Sequence, residues 1–455
     1  MSILLDDFTA ITLADGRDPV EHISIAIEGG EIQAIGSPDT FDRGVFGRVL
    51  DGEDKLVMPG FVNAHTHLPM VLLRGYADDL PLKPWLEEKI WPVEAELRAA
   101  GTETIYWGAL LGIAEMIRSG TTACADMYYH MDQVARAVKE SGVRALLSWG
   151  IIAPEIDEQV ERQLETAADF VNEWDGAAGG RIATALSPHA PYTCDAEVWR
   201  RAVELAEADG VRIHTHLAET AGEVEDAYRN WGVSPVRYLE DLGVFTTSVL
   251  AAHCVHVSDE DIERLVAHGV HVVHNPGSNL KLASGIAPVE RMLEAGIPVA
   301  LGTDGAASNN NLDMLEEIRL ASLLQKVEHQ DPTAVSALEA LRMGTVHGAM
   351  ALGFDGIGVL EAGGPADLII VDLDQVHMVP NYNLISNLVY AGQSGDVETV
   401  IVNGQIVMEA RKILTFDEAQ VKRRVRQLSK RYRDRSAGGG NEFKDVSQRA
   451  QSGID

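Results

Sequence analysis

Cysteine is scarce: Cys124, Cys194 and Cys254 are the only three in 455 residues, and no two form a CxxC pair. A disulfide framework and a thiolate zinc site are excluded, and a reducing cytoplasm is the expected compartment. Positive charge is also short, with 37 basic residues against 69 acidic ones and a net charge of −32. Such a surface repels phosphate backbones and anionic bilayers, so neither nucleic acid nor membrane is an expected partner. No apolar run approaches the ~20 residues of a membrane span, and MSILLDDFTAITLADG lacks a basic n-region and an apolar h-region.

What is present is an ordinary globular balance, 46% hydrophobic and 23% charged, on a chain long enough for a barrel-sized domain plus a smaller one. The opening stretch alternates with period two around Gly29-Gly30. The same pattern returns at PADLIIVDLD and at VETVIVNGQIVMEARKIL, where Asn403-Gly404 signals a hairpin. Both chain ends therefore predict one small β-sandwich domain, residues 1–58 plus 356–415. Between them, eight apolar runs alternate with helical segments: 57–64, 121–127, 143–149, 181–187, 211–217, 248–253, 270–275 and 297–303. That alternation predicts a TIM-like (β/α)₈ barrel over 59–355. Residues 416–455 read as a C-terminal helix and a loose tail.

In such a barrel the chemistry sits at the C-terminal ends of the strands. The first strand ends in His65-Thr66-His67, and a spacing of two puts both imidazoles on one face. The fifth ends in HTHLAE, with His216 and Glu219; the sixth ends in His253 and the eighth in Thr303-Asp304. A single barrel histidine is more often a hydrogen-bonded core residue than a ligand. Four strand ends carrying such groups together point instead to one divalent ion held by His65, His67, His216 and Asp304. Zinc is expected, and iron or manganese would suit the same donors. Strand four ends in Ser187-Pro188-His189 with no lysine to bridge a second ion. Glu219 is placed beside the activated water as general acid/base, with His253 and Asp304 orienting it. His214 reads as a supporting residue one layer deeper; His256, His271 and His347 read as structural, and His274 has no assigned partner.

PGFVNAHTHLPM, LLRGYADDLPLKPWLEEKIWPVEAEL, SPHAPYT, HTHLAET, NPGSNLKLASG and GTDGAASNNNLDM closely resemble the 5′-methylthioadenosine/S-adenosylhomocysteine deaminase branch of the amidohydrolase superfamily. The resemblance spans roughly residues 1 to 415. It implies the same four ligands, catalytic Glu219 and His253, and a small nucleoside substrate that is deaminated to its inosine analogue with release of ammonia. It further implies that Glu94 accepts hydrogen bonds from the ribose hydroxyls, that Trp85 lines the nucleoside pocket, that His189 and Glu219 contact the substrate, and that the chain is a homo-oligomer. One departure stands out. Strand three ends Leu147-Ser148-Trp149-Gly150, with Trp149 where relatives have an arginine for the amino-acid carboxylate; Arg144 and Arg162 lie nearby in sequence. Trp149 is therefore expected to contact the substrate and to favour an apolar 5′ group, as in 5′-methylthioadenosine or 5′-deoxyadenosine, over S-adenosylhomocysteine. The alternatives are a triazine chlorohydrolase, a guanine or other free-base deaminase on the same fold, and an inactive scaffold, which would have lost a ligand or Glu219.

Overall fold

The computed structural model describes residues 2–436 apart from 15, 17, 18 and 100. Eight parallel strands lie side by side in chain order: Phe61–Thr66, Thr121–Tyr128, Arg144–Ile151, Ile182–Pro188, Arg212–Leu217, Val249–His253, His271–His274 and Ala300–Leu301. They read as continuous apolar runs because helices cover one face and inward side chains fill the other; every residue of the second strand is buried. Helices such as Glu103–Arg118 and Met131–Ser141 return the chain, the latter burying Val134, Ala135, Ala137 and Val138 and stopping at Gly142, whose φ of 89° suits glycine.

The barrel closes without a regular ladder between its last and first strands. The Asp304 N–H donates to His65 O at 2.9 Å. The Asn63 side chain donates to Thr303 Oγ1 at 2.8 Å and accepts from Thr303 N at 3.1 Å. The backbones approach so closely that a Cβ on Gly302 would lie 2.7 Å from His65 N and 2.8 Å from His65 O. Gly302→Ala is accordingly expected to wedge this seam open and to lower stability by about 1–3 kcal/mol, measured by denaturant unfolding of the variant beside the parent. Unchanged stability would show that the seam has slack.

Both chain ends form the small β layer, as one continuous mixed sheet of nine strands. Its first strand, Ser2–Ala10, pairs antiparallel with Val20–Glu28 and parallel with both Arg48–Asp51 and Lys55–Pro59, so the sheet forks there. The layer has its own core, including Ile3, Phe8, Ile25, Val57, Leu368 and Ile401. The run expected as one barrel strand over 57–64 is divided: Lys55–Pro59 pairs with Leu368–Asp372 in the small sheet, and only Phe61–Thr66 enters the barrel. Gly60 makes the crossing, pressed so tightly on Thr122 that a Cβ would lie 2.2 Å from its side chain.

Arg144 joins the two layers. Its guanidinium donates to both Asp367 carboxylate oxygens at 2.8 Å, buried at the N-terminal end of its strand and far from any role at the opposite rim. The C-terminal helix spans Glu418–Ser436, with Glu418 bonded to Arg118; the expected tail beyond it lies outside the described residues. Among the described residues no helix is long and apolar enough to cross a membrane.

Candidate active site

Sharp bends aim the site. Ala218, His253 and Asp304, at the ends of strands five, six and eight, all take left-handed φ values of 50°, 73° and 61°. For a residue with a Cβ that conformation costs roughly 1 kcal/mol, and such strain concentrates where side chains must be held in a working direction.

Each histidine of the expected cage has its proton pinned on the far side. His67 Nδ1 donates to Met127 O at 2.6 Å and His216 Nδ1 to His189 O at 2.7 Å. His65 Nδ1 donates to His214 Nε2 at 2.8 Å, and His214 Nδ1 in turn faces Ser148 Oγ at 2.9 Å. His214 is thus the support the sequence suggested. The three Nε2 atoms are left converging on one point, where each would serve as a metal ligand once free of a proton. His67 Nε2 lies 3.3 Å from His216 Nε2 and 3.2 Å from Asp304 Oδ1, while His65 Nε2 lies 3.5 Å from that oxygen. Asp304 is fixed by Ser278 Oγ and Ser308 Oγ on Oδ2, each at 2.7 Å, and by Gly305 N on Oδ1.

Burial pushes His65 down to about 4 and His189 to about 3, and drives His216 well below its usual range, so these rings are neutral near pH 7. Burial also acts against the His67 cation, but the Asp304 carboxylate outweighs it and lifts that ring to about 9. His65 Nε2 is completely buried and has no hydrogen-bond partner. A buried Nε2 without a close partner, among two more imidazoles and a carboxylate, fits a divalent cation bound by nitrogen and oxygen. The ligand atoms of His65, His67 and His216 lie within 4.8 Å of one another, as do those of His65, His253 and Asp304.

His67, Trp85, Glu94, His189, His216, Glu219, His253 and Asp304 line a single cavity. Glu219 Oε2 is 3.8 Å from His253 Nε2, and burial raises the Glu219 carboxyl above its ordinary range. His253 Nδ1 is 2.9 Å from Asn279 Oδ1, which directs Nε2 into the cavity. Farther out, Glu94 is buried beside Tyr128, which hydrogen-bonds to it; burial raises the Glu94 carboxyl, and its Oε1 has no partner. Trp85 is buried with Nε1 bonded to Ala77 O at 3.0 Å, so its ring is a fixed wall.

Trp149 is the exception. It is not among the residues lining this cavity; its ring packs against Phe170 with centroids 5.5 Å apart. Strand alternation is the reason: Ser148 points inward to His214, so Trp149 points outward, and Gly150 is the neighbour that faces the cavity. Arg162 is exposed beside Glu158. His256 and His347 bond to the carbonyls of Ser284 and Val299, in keeping with structural roles, and both ring nitrogens of buried His274 lack a partner. Sequence reasoning gave no role to Tyr128, Ser278, Asn279, Ser308 or Glu223. Ser278, Asn279 and Ser308 lay inside motifs already singled out, and Glu223 stands three residues after Thr220 in a capping pattern.

A closed parallel barrel with imidazoles and a carboxylate gathered at its C-terminal rim defines the metal-dependent barrel hydrolases as a class. The chain belongs to the amidohydrolase family, whose model matches residues 56–407. It is 52% identical over 422 residues to the 5-methylthioadenosine/S-adenosylhomocysteine deaminase of Pelotomaculum thermopropionicum, covering 92% of this chain and 96% of that one. Among solved structures it is similar to an adenosine deaminase from Xanthomonas campestris with bound zinc, with a TM-score of 0.89, 37% identity, and 96% and 98% of the two chains covered. The zinc complex of an atrazine chlorohydrolase from Arthrobacter aurescens also superposes, with a TM-score of 0.86, 28% identity, and 94% and 100% covered.

Proposed function

We propose that this chain is a hydrolytic deaminase of adenosines modified at the 5′ position, with one divalent ion, zinc expected, held by His65, His67, His216 and Asp304. The observation that carries the reading is the layout of one cavity. The ligand cage with Glu219 and His253 lies at its inner end, and a buried Glu94 oxygen without a partner lies along it, as a group that receives sugar hydroxyls would. The relatives' names and the zinc in the Xanthomonas structure support it.

When bound, the ion supplies Lewis acidity that makes water nucleophilic near neutral pH. Glu219 accepts the first proton of the attacking water and passes it to a purine ring nitrogen; the second, left on the hydroxyl of the resulting adduct, is then carried to the amine as the C–N bond breaks, so that water and the aminopurine become the oxo-purine and ammonia. His253 Nε2 and Asp304 present acceptors that hold the water in line. His189, neutral and 3.2 Å from Thr193 Oγ1 through Nδ1, offers a ring nitrogen to the base.

An apolar 5′ group remains the better fit, on different residues from those first expected. Gly150 and Ile152 line the cavity near the end of strand three, and among the described residues Arg98, which stacks 3.9 Å over the Tyr129 ring, is the one Lys or Arg side chain lining it. The reading includes a cytoplasmic setting, supported by three buried, unpaired cysteines.

The direct test offers purified, metal-loaded protein adenosine, 5′-deoxyadenosine, 5′-methylthioadenosine, S-adenosylhomocysteine, guanine and a chlorotriazine, following ammonia and the ultraviolet change of adenine to hypoxanthine. Turnover of the nucleosides, fastest with apolar 5′ groups, is expected; turnover of guanine or chloride release alone would overturn the proposal. Glu94→Gln should lower kcat/KM for ribosides by about ten- to a hundredfold, the worth of a charge-assisted hydrogen bond, and leave 2′,3′-dideoxyadenosine unaffected. An equal loss on both substrates would separate Glu94 from the sugar.

A further inference from the structure

Glu219 has little to hold its own side chain. Its carboxylate has one long hydrogen bond, 3.4 Å from Ser284 Oγ, and stands 3.8 Å from His253. Its direction must therefore come from the backbone, and there the chain turns through a left-handed residue: Ala218 has φ of 50°, and the helix Ala221–Trp231 starts three residues later, capped by the Thr220 side chain.

One residue spans this turn. Glu223 sits in the first helical turn and donates its N–H to Thr220 Oγ1 at 3.2 Å, as a capping arrangement requires. In an ordinary capping box its carboxylate would return to the N–H of the capping residue. Here it reaches farther back, one oxygen accepting from Ala218 N at 2.9 Å and the other from Glu219 N at 2.8 Å. Both peptides flanking Ala218 are fixed by one buried carboxylate, at the point where the strand ends and the proton-moving residue begins. From the opposite side, Ala218 O accepts from His256 N at 2.9 Å, so the bend is gripped on both edges.

We infer that Glu223 is a positioning residue for the reaction: its two-pronged grip on the Ala218 and Glu219 amides sets the direction in which Glu219 meets water and base. The inference rests on Glu219 being the proton carrier of the proposed deamination. Glu223 touches none of the four cage residues in any hydrogen bond or ion pair among the described residues. Its loss is therefore predicted to spare the ion and to fall on the chemical step.

The amide of Glu223→Gln can accept from only one of the two N–H groups and points its own NH₂ at the other. It is expected to cut kcat by about ten- to a hundredfold, with metal content unchanged and KM within about threefold. Glu223→Asp keeps the charge on a shorter arm, guards against a folding failure of the first variant, and should show the same selective fall in smaller degree. Combined with Glu219→Gln, Glu223→Gln should remove almost nothing more from the residual rate, because it acts through the residue already lost. A purely structural Glu223 would still subtract its full factor in that background. Unchanged kcat in both single variants, a loss of metal, or a rise in KM with kcat intact would each overturn the inference. Wild-type protein in the same assay separates this from the larger proposal, since a parent inactive on adenosines refutes the deaminase reading itself.

Discussion

Glu219→Gln is expected to retain its full complement of metal, to bind nucleoside as the parent does, and to lose turnover by about a hundred- to ten-thousandfold. The amide has the shape of the carboxyl, so the seat beside His253 and Ser284 is preserved. What it cannot do is accept a proton from water and pass it on. The cage donors lie on strands one, five and eight, and Glu219 is not in their hydrogen-bond set, so metal analysis of the purified variant should match wild type. Loss of metal together with activity would make Glu219 a ligand instead, and undiminished turnover would require another proton carrier.

Asp304→Asn is the second large effect. Asp304 is the only anionic group of the cage, and burial alone would favour its neutral form; the His65 and His67 rings overcome that and hold its carboxyl well below the usual range. Its two oxygens divide the work, Oδ2 taking two serine hydroxyls while Oδ1 faces the imidazoles. An asparagine would place an NH₂ against either the serines or the ring nitrogens, and would remove the charge that compensates a buried dication. Metal content is expected to fall and turnover to drop by more than about a thousandfold, partly recovered at high zinc. Stripping the parent with a chelator should give the same inactive state, and adding zinc back should reverse it. Activity that survives a verified metal content near zero would refute the mechanism as a whole.

Much of this site was legible in the residues. His65, His67, His216, His253 and Asp304 lie at strand ends because apolar runs of fixed length lead into them, and the structure gathers them where the runs said. The failures have physical causes. At Trp149 the period of two in a strand makes an error of one residue an error of face, and only the inward turn of Ser148 toward His214 settles which face is which. The break at Gly60 was hidden because strands of two different sheets are equally apolar on either side of it. Glu94 and Trp85 could be found only by resemblance, since no periodicity distinguishes a cavity-facing helical residue from any other. The Glu223 grip depends on which amides a carboxylate reaches, which a capping motif suggests without fixing.

The seam between the last and first barrel strands has a consequence for how the molecule comes into being. Asn63 and Thr303 are 240 positions apart in the chain, and the cage borrows from both sides of that junction, His65 and His67 on one and Asp304 on the other. Contacts of such range form only after the intervening chain has given up most of its freedom. A nascent chain that has not yet reached strand eight thus has histidines but no complete nest for the proposed ion, and metal acquisition would belong to the final act of assembly. Because the ion binds the finished barrel far better than an open chain, it would also serve as a clasp, and its supply in the cell would set how long the enzyme survives as well as how fast it works.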